Sequence, residues 1–318
     1  MRVILHIGPG KTATSTIQHE LTKMRRPLAR AGWLYPRTGL LHRWRGTAQH
    51  GIGYSLVARP AEWQRHHRRF PAQKVWPALT RELARARRCD TALISSESMA
   101  NLDREALERI PDLLWGHEVE IVLVEREPLA RMESLYAQVI KAPPYSKAFV
   151  RPFLRRALPK KAHEITRALF EQVFSPERVR IVPYEALLAG GSVGARFLDA
   201  LGGPELSKWP KRSVVANKSP DWSVLMLLRS LNTVGDVAFE DRRKLYAAIL
   251  AAAPEGDIRA DPEKSAARIR AAIKGPHRDR LRAAVGKWFA LPEIDPPLTD
   301  AERAEIRAEA GLDRRPAA

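Results

Sequence analysis

The hydrophobic positions of the chain form short apolar runs that alternate with longer segments of helical spacing. Apolar residues recur every three or four positions from Thr14 to Leu28 and again after Pro128. Four runs have the length and composition of buried strands: RVILHIG (2–8), DTALISSES (90–98), EVEIVLVEREP (118–128) and ERVRIVPYEAL (177–187). Because parallel strands need long crossover connections, this alternation predicts an α/β fold with three αβα layers around a central parallel sheet.

The C-terminal part of the chain has a different pattern. After Asp221 it is rich in alanine and arginine, with helical spacing and no motif of its own. Proline and glycine near 253–262 and 275–276 break it into helices rather than into a clear second domain. We therefore predict one α/β domain over residues 1–235 and a helical C-terminal extension, residues 236–318, packed on the same domain.

Composition narrows the classes of partner and compartment. The chain has 54 Lys and Arg against 36 Asp and Glu, a formal charge of +18, which favours an anionic partner such as phosphate, sulfate, an acidic glycan, a nucleic acid or a membrane surface. An arginine-rich composition on ordinary helices accounts for part of this excess. The single cysteine, Cys89, excludes an intrachain disulfide framework and a cysteine metal cluster. With no transmembrane run and no signal peptide pattern, we predict a cytoplasmic protein, and the sequence does not indicate its oligomeric state.

The first strand ends in an unusual loop, ILHIGPGKTATSTIQ (4–18). Ligands of open parallel sheets bind beyond the carboxyl ends of the strands, where the N–H groups and the dipole of the next helix favour an anion. The glycines let the backbone curl, and a lysine and four hydroxyls add donors, so we predict a phosphate or sulfate site. A triphosphate-binding loop, G-x-x-x-x-G-K-[ST], does not fit, because its first glycine would fall at Leu5. A simple helix cap needs one hydroxyl, not four with a lysine.

The run HIGPGKTATSTIQ resembles the loop of sulfotransferases that use 3′-phosphoadenosine 5′-phosphosulfate (PAPS), especially bacterial members that open with HIG-x-x-KTGTT-x-x-Q. The resemblance implies a P-loop-like form of the αβα fold and PAPS as co-substrate. It also implies that the 5′-phosphosulfate is bound by Gly10, Lys11, Thr12, Ala13, Thr14, Ser15 and Thr16. Ala13 replaces the usual glycine and Ser15 a threonine. Ala13 leaves its N–H available provided that its φ is negative, and a positive φ at this position would count against the match.

A second segment, VLVEREPLARMESLYAQ, resembles the motif that binds the nucleotide 3′-phosphate in the same family. Arg126 matches its arginine and Ser134 its serine. An arginine fork together with a hydroxyl suits a phosphate. The alternative is that Arg126 pairs with Glu127 or Glu133 on the surface.

Two weaker matches follow. IVPYEAL resembles the strand whose tyrosine contacts the adenine, which implies that role for Tyr184, although a tyrosine packed at a strand end fits as well. The segment VVANKSPDW resembles a bacterial N-x-S element, and it suggests Lys218, with Asn217 and Ser219, near the 3′-phosphate, with Arg212 as a further candidate. The four matches cover about residues 1–235 in the order expected for the family.

Sulfuryl transfer needs a base for the acceptor and positive charge on the leaving phosphate, as phosphoryl transfer does. We assign Lys11 to the leaving group, and no metal is required. Two residues are candidates for the base, and we expect them to border the same cleft. Glu97 ends the strand TALISSE, and it could equally be a helix-start carboxylate. His50 lies in TAQHGIGYSL and has the better intrinsic pKa, but it could also be a surface imidazole.

The sequence therefore predicts a PAPS-dependent sulfotransferase that acts on a hydroxyl or amine of an unknown acceptor, for example a glycan or a lipid head group. A nucleotide-binding, kinase-like protein is the first alternative, and it requires a true triphosphate loop and Mg²⁺ ligands. A basic nucleic-acid-binding protein is the second, and it predicts strong, salt-dependent binding to any DNA. A family member that binds the nucleotide without catalysis is a further alternative.

Overall fold

A computed structural model describes residues 1–41, 46–57, 70–141, 149–158, 163–207, 209, 220–253, 255–275, 277–293 and 295–312. The chain divides into two compact units. The first unit comprises Met1–Glu127 and Ala162–Ala216, and the second comprises Pro128–Lys161 and Asn217–Ala318. These units do not test the predicted sulfotransferase-like domain of residues 1–235, which stays a prediction.

The first unit is built on a parallel sheet. Within the described residues its strands are β1 (Arg2–Ile7), β2 (Trp33–Leu34), β3 (Thr91–Ser95), β4 (Glu118–Glu125) and β5 (Val179–Pro183). Their order is β2-β3-β1-β4-β5, and every pairing is parallel. At the centre, Leu5 of β1 aligns with Ile94 of β3 on one side and Ile121 of β4 on the other. The four predicted strands are confirmed, and the two-residue β2 is an addition that its sequence pattern did not indicate.

The helices lie between and after the strands. In chain order they are α1 (Thr14–Lys23), α2 (Arg25–Arg30), α3 (His50–Tyr54), α4 (Ala72–Arg85), α5 (Arg104–Leu113), α6 (Pro128–Lys141), α7 (Val150–Ala157), α8 (His163–Phe174), α9 (Tyr184–Leu188), α10 (Val193–Ala200), α11 (Trp222–Leu231), α12 (Phe239–Ala252), α13 (Pro262–Ala272), α14 (Arg278–Ala290) and α15 (Asp300–Glu309). Short 3₁₀ helices span Glu97–Asn101 and Pro176–Arg178. None of these helices is long and apolar enough to cross a membrane.

Both faces of the sheet are covered, because successive side chains of a buried strand point to opposite sides. Leu5 packs in a cluster with Leu79 of α4 and Leu107 of α5. Its neighbour Ile4 packs on the other face, in a cluster that α1 and α10 complete. Burial of each large apolar side chain stabilises the fold by about 1.5–3 kcal/mol. The predicted three-layer αβα architecture is confirmed.

The second unit is helical. α6, α7 and α11–α15 surround one buried apolar cluster that includes Tyr136, Leu227 and Ile249. Asp295 accepts a hydrogen bond from the backbone N–H of Val150 at 3.1 Å and thereby ties the start of α7 to the segment before α15. The predicted helical character of the C-terminal part is confirmed.

Parallel strands place the residues that follow them at one edge of the sheet. The loop after β1, the 3₁₀ helix after β3, Arg126 after β4 and Tyr184 after β5 therefore share the carboxyl edge of the first unit's sheet. The sheet thus brings together segments that are up to 176 residues apart in sequence, which is the separation of Gly8 and Tyr184.

Candidate functional site

The loop between β1 and α1 has a backbone shape that costs conformational energy. Gly8 approaches α1 so closely that a Cβ there would overlap the hydroxyl oxygen of Thr14. Lys11 has φ 77° and Ala13 has φ 60°, whereas Thr12 between them is outside the positive-φ region. Each left-handed non-glycine residue costs about 1–2 kcal/mol. The match required a negative φ at Ala13, and this condition is not met, which counts against the resemblance at this position. Alanine occupies a conformation that a glycine would adopt without strain.

The hydroxyl groups of the loop do not all face one ligand. Thr12 is fully buried, and its hydroxyl donates to the carbonyl oxygen of Pro9 at 2.8 Å. Its only hydroxyl proton is therefore committed to the loop itself. Thr14 and Thr16 are also buried, while Ser15 is exposed. In this conformation, the donors best suited to an anion are backbone N–H groups at the start of α1 together with Lys11.

Glu97 lies beside this loop. It is the first residue of the 3₁₀ helix after β3, and its Oε2 is 3.9 Å from the position a Cβ would take on Gly10. Burial raises the pKa of the Glu97 carboxyl above its ordinary value, and a hydrogen bond from Thr14 and the charge of Lys11 partly oppose that rise. The predicted helix-start position is correct, and the carboxylate also reaches the loop. A carboxylate with a raised pKa next to a cation is a suitable proton acceptor.

His50, the second candidate base, lies beside Ser96. It begins α3, and its Nδ1 is 3.3 Å from the hydroxyl oxygen of Ser96, the residue before Glu97. The Ser98 hydroxyl donates to the His50 carbonyl oxygen at 2.9 Å. Burial lowers the pKa of the His50 imidazole to about 4. The ring is therefore neutral at physiological pH and holds a proton weakly, and it is not a freely exposed imidazole.

Tyr54 is a neighbour that the sequence reasoning missed. It lies one helical turn after His50, and the two rings are 6.1 Å apart between centroids. Burial raises the pKa of the Tyr54 phenol, and the charge of Glu97 adds to that rise. The i, i+4 spacing of histidine and tyrosine in HGIGY was the available signal, since it puts both rings on one helix face.

A buried polar network lies beneath the loop. His6 of β1 has its Nδ1 2.8 Å from the hydroxyl oxygen of Ser95, and Gln18 of α1 donates to the same oxygen at 3.1 Å. Burial lowers the pKa of His6 to about 3, so the ring is neutral. These bonds tie β1, β3 and α1 together at the point where the loop starts and ends. The sequence concealed the network because His6 lies within an apolar run.

Arg126 and Tyr184 meet at the same edge. The guanidinium carbon of Arg126 lies 4.8 Å from the centroid of the Tyr184 ring, and Nη1 donates to the backbone carbonyl oxygen of Lys11 at 3.2 Å. The alternative partner Glu133 pairs instead with Arg303 at 2.8 Å within the second unit. The structure therefore brings together Lys11, Arg126 and Tyr184.

The described contacts do not test the roles of two predicted residues. Ser134 is a partly buried residue of α6 in the second unit, and its pairing with Arg126 stays a prediction. Lys218, together with Asn217, Ser219 and Arg212, lies outside the described residues. Among the residues that the structure describes, no group of three or more His, Cys, Asp or Glu side chains could hold a metal ion. The metal-independence of the reaction remains a prediction.

Comparison with known proteins adds two solved structures. No protein-family model matches the chain, and no curated protein sequence matches it. The chain is similar to a sulfotransferase from Alicyclobacillus acidocaldarius, with 14% identity and a TM-score of 0.44 over 69% of this chain and 86% of that one. It is also similar to the sulfotransferase domain from the curacin biosynthetic pathway, with 13% identity and a TM-score of 0.40 over 98% and 97%. At identities and TM-scores this low, neither likeness transfers an activity to this chain.

Proposed function

We propose that the chain is a sulfotransferase that moves the sulfuryl group of PAPS to a hydroxyl or amine of an acceptor. The observation that carries the proposal is the position of the Glu97 carboxylate against the loop that contains Lys11. A proton acceptor and a cation for the leaving phosphate then border one point at the start of α1. The reaction needs this combination, because a proton leaves the acceptor while negative charge grows on the phosphate.

The loop's role is to bind the 5′-phosphosulfate. Backbone N–H groups at the start of α1 and the ammonium of Lys11 supply positive charge from fixed positions. Thr12 shapes the loop through its bond to Pro9. Lys11 stabilises the charge that develops on the bridging oxygen as the S–O bond to the phosphate breaks.

Glu97 is the better supported base. In the proposed step the acceptor oxygen or nitrogen forms a bond to sulfur, its proton passes to Glu97, and adenosine 3′,5′-bisphosphate leaves with the electron pair of the broken S–O bond. The raised pKa of Glu97 makes its carboxylate a stronger proton acceptor than an ordinary glutamate. His50, with a pKa near 4, accepts a proton poorly and is assigned to positioning the acceptor through its place beside Ser96.

The nucleotide end of the site is assigned to residues after β4 and β5. Tyr184 is proposed to contact the adenine, and Arg126 the 3′-phosphate, with Ser134 and Lys218 as further 3′-phosphate ligands. Arg126 and Tyr184 support this assignment by their mutual contact near the loop. A guanidinium has donors for more than one acceptor, so a phosphate can bind while another N–H remains on a carbonyl.

The charge of the chain and the chemistry of sulfuryl transfer indicate the acceptor only as a broad class. The excess of basic residues suits an acidic glycan or a lipid head group that carries a hydroxyl or amine. The kinase alternative is disfavoured, because Leu5, where its loop would begin, is fully buried within β1. The nucleic-acid-binding alternative rests on the charge and on the basic, aromatic segment WQRHHRRF (63–70), which lies outside the described residues except for Phe70.

The proposal is tested by incubating the protein with PAPS labelled in its sulfuryl group and a panel of hydroxyl- and amine-bearing oligosaccharides, glycolipids and small amines. We expect transfer of label to one class of acceptor, with equal formation of adenosine 3′,5′-bisphosphate. Glu97→Gln is the matched control, because it keeps the shape of the side chain and loses the carboxylate. Transfer that is unchanged in Glu97→Gln would contradict the assigned base.

A further inference from the structure

The contact between Arg126 and the Lys11 carbonyl joins the two halves of the proposed nucleotide site. Arg126 leaves the carboxyl end of β4, whereas Lys11 lies in the loop after the neighbouring strand β1. The Nη1 atom reaches a backbone oxygen at 3.2 Å, so the arginine acts on the shape of the loop and not on the Lys11 side chain. A hydrogen bond from a charged donor is roughly twice as strong as one between neutral groups.

The carbonyl that Arg126 holds belongs to the peptide unit whose N–H is that of Thr12. In a planar trans peptide the C=O and N–H bonds point in opposite directions. Arg126 therefore aims the Thr12 N–H away from itself and polarises it as a donor. Lys11 and Ala13 have positive φ and Thr12 does not, and such alternation makes a concavity of N–H groups that binds anions.

This loop shape needs support, because two non-glycine residues in it have left-handed backbones. Left-handed backbones are unfavourable for residues that carry a Cβ, so the surrounding contacts have to favour that shape over relaxed ones. The bond from Arg126 is one such contact. The Tyr184 ring, 4.8 Å from the guanidinium, holds the arginine in the position from which it reaches the carbonyl.

We propose that Arg126 is a positioning residue for the 5′-phosphosulfate loop as well as a ligand of the 3′-phosphate. It keeps Lys11 and the Thr12 N–H in the anion-binding arrangement, and Tyr184 keeps it in place. A nucleotide with a 3′-phosphate then strengthens the loop, because the phosphate fixes the same guanidinium. This inference rests on the proposed function, since it concerns the same nucleotide.

The test separates the two roles of Arg126 by the choice of nucleotide. 5′-AMP has a 5′-phosphate but no 3′-phosphate, so its affinity reports on the loop. Adenosine 3′,5′-bisphosphate reports on both. Both are titrated calorimetrically into the parent protein and into Arg126→Ala and Arg126→Lys. The lysine keeps the positive charge but lacks the planar fork that serves two acceptors.

We expect Arg126→Ala and Arg126→Lys to lower the affinity for 5′-AMP by about tenfold, the equivalent of one lost charge-assisted bond. Arg126→Ala should lower the affinity for the bisphosphate by about a hundredfold or more. In ¹⁵N-resolved spectra of the free protein, Arg126→Lys should shift the resonance of the Thr12 amide. The Lys11 carbonyl of the same peptide unit then loses its hydrogen bond from the guanidinium.

Arg25 offers a matched control in the same unit. Its guanidinium lies 4.9 Å from the Tyr35 ring, and its Nε donates to the Tyr35 carbonyl oxygen at 3.2 Å, so it makes the same two contacts away from the loop. Arg25→Lys should leave both affinities and the Thr12 amide unchanged. Melting curves of every variant establish that it is folded before titration.

The outcomes are distinct. If Arg126→Lys and Arg126→Ala weaken the bisphosphate but leave 5′-AMP and the Thr12 amide unchanged, the positioning role is overturned and the proposed function stands. If 5′-AMP weakens only in Arg126→Ala, the effect is one of charge and the positioning role is again overturned. If the parent protein binds neither nucleotide, the proposed function itself fails.

Discussion

The two ends of the first unit's sheet use charged residues in opposite ways. At the amino end, Glu120 pairs with Arg2 at 2.6 Å and with Arg180 at 2.9 Å, so opposite charges satisfy one another across three strands. At the carboxyl end, Lys11 and Arg126 converge on a loop with left-handed residues, and the nearby carboxylate has a raised pKa. The amino end is arranged for stability. The carboxyl end maintains strain and a destabilised charge, as functional sites do.

Lys11→Ala should have the largest effect. We expect turnover to fall by about 10³–10⁵-fold, the range for loss of a cation that stabilises a transferring group. Alanine is no more strained than lysine at φ 77°, so the melting temperature should change little. Steady-state transfer assays and melting curves measure the two effects. Arg178→Ala, near the amino end of the sheet, is the control, and near-normal turnover in Lys11→Ala would sink the assignment of Lys11.

Glu97→Gln should lower kcat by about 10²–10⁴-fold and leave nucleotide affinity nearly unchanged. His50→Ala should act mainly on the acceptor KM, through positioning. The comparison is made by steady-state kinetics for both variants with the same acceptor. If His50→Ala shows the large loss in kcat and Glu97→Gln does not, the two roles are reversed.

The pH dependence of the same pair sharpens this test. A carboxyl whose folded pKa is raised binds more protons when folded, so its ionisation removes stability as pH rises from the unfolded to the folded pKa. Glu97→Gln should therefore be more stable than the parent at neutral pH and should lose that advantage at low pH. The acidic limb of the parent's kcat/KM profile should fall above the ordinary glutamate range. Equal melting temperatures at pH 7 would argue against a destabilised carboxylate.

Glu120→Gln should show the reverse of Glu97→Gln: it should lower stability and leave turnover unchanged. It removes the charge that two arginines share, and its side chain is 13% exposed, so we expect a loss of about 1–2 kcal/mol in the free energy of unfolding. Because Glu120 lies at the amino end of the sheet, kcat should be unchanged. Urea unfolding and transfer assays give the two values. A large loss of turnover with retained stability would contradict the division between the two ends.

The smallest effects compare the backbone at the two ends. Ala13→Gly relieves a left-handed alanine and should stabilise the protein by up to about 1 kcal/mol, since flexibility gained by the unfolded chain offsets part of the relief. Gly116, in the turn before β4, has φ 78° with open space around it, so Gly116→Ala should destabilise by about 1 kcal/mol. Chemical unfolding of both variants measures these changes. Destabilisation by Ala13→Gly would mean that the alanine methyl makes a contact that exceeds its strain.

Much of the fold could be predicted because the buried strands of a parallel sheet are recognisable in the sequence as short apolar runs. Once β1, β3, β4 and β5 were predicted, the meeting of Lys11, Glu97, Arg126 and Tyr184 at one edge followed from topology. β2 was not predicted, because a strand of two residues is too short to show a hydrophobic pattern.

Other features of the site depend on backbone and side-chain conformation, which the amino-acid sequence does not give directly. The left-handed Ala13 is a matter of dihedral angle, and the inward hydroxyl of Thr12 is a matter of rotamer. His6 looked like any member of an apolar strand, although it anchors a polar network through Ser95. Hydroxyls in the loop were expected to serve the ligand, but the buried loop has backbone groups of its own to satisfy, and Thr12 serves one of them.

The central claim, that the carboxyl edge of this sheet binds a 3′-phosphorylated adenosine nucleotide, is tested most directly by thermal shift. Adenosine 3′,5′-bisphosphate, 5′-AMP, ATP with Mg²⁺, NAD and duplex DNA are compared at one ionic strength. A ligand at 100 times its dissociation constant stabilises by about 2.7 kcal/mol, which gives a clear rise in Tm. The account predicts a large rise with the bisphosphate and a far smaller one with 5′-AMP. Equal shifts from these two nucleotides, or a larger shift from ATP or DNA, would contradict it.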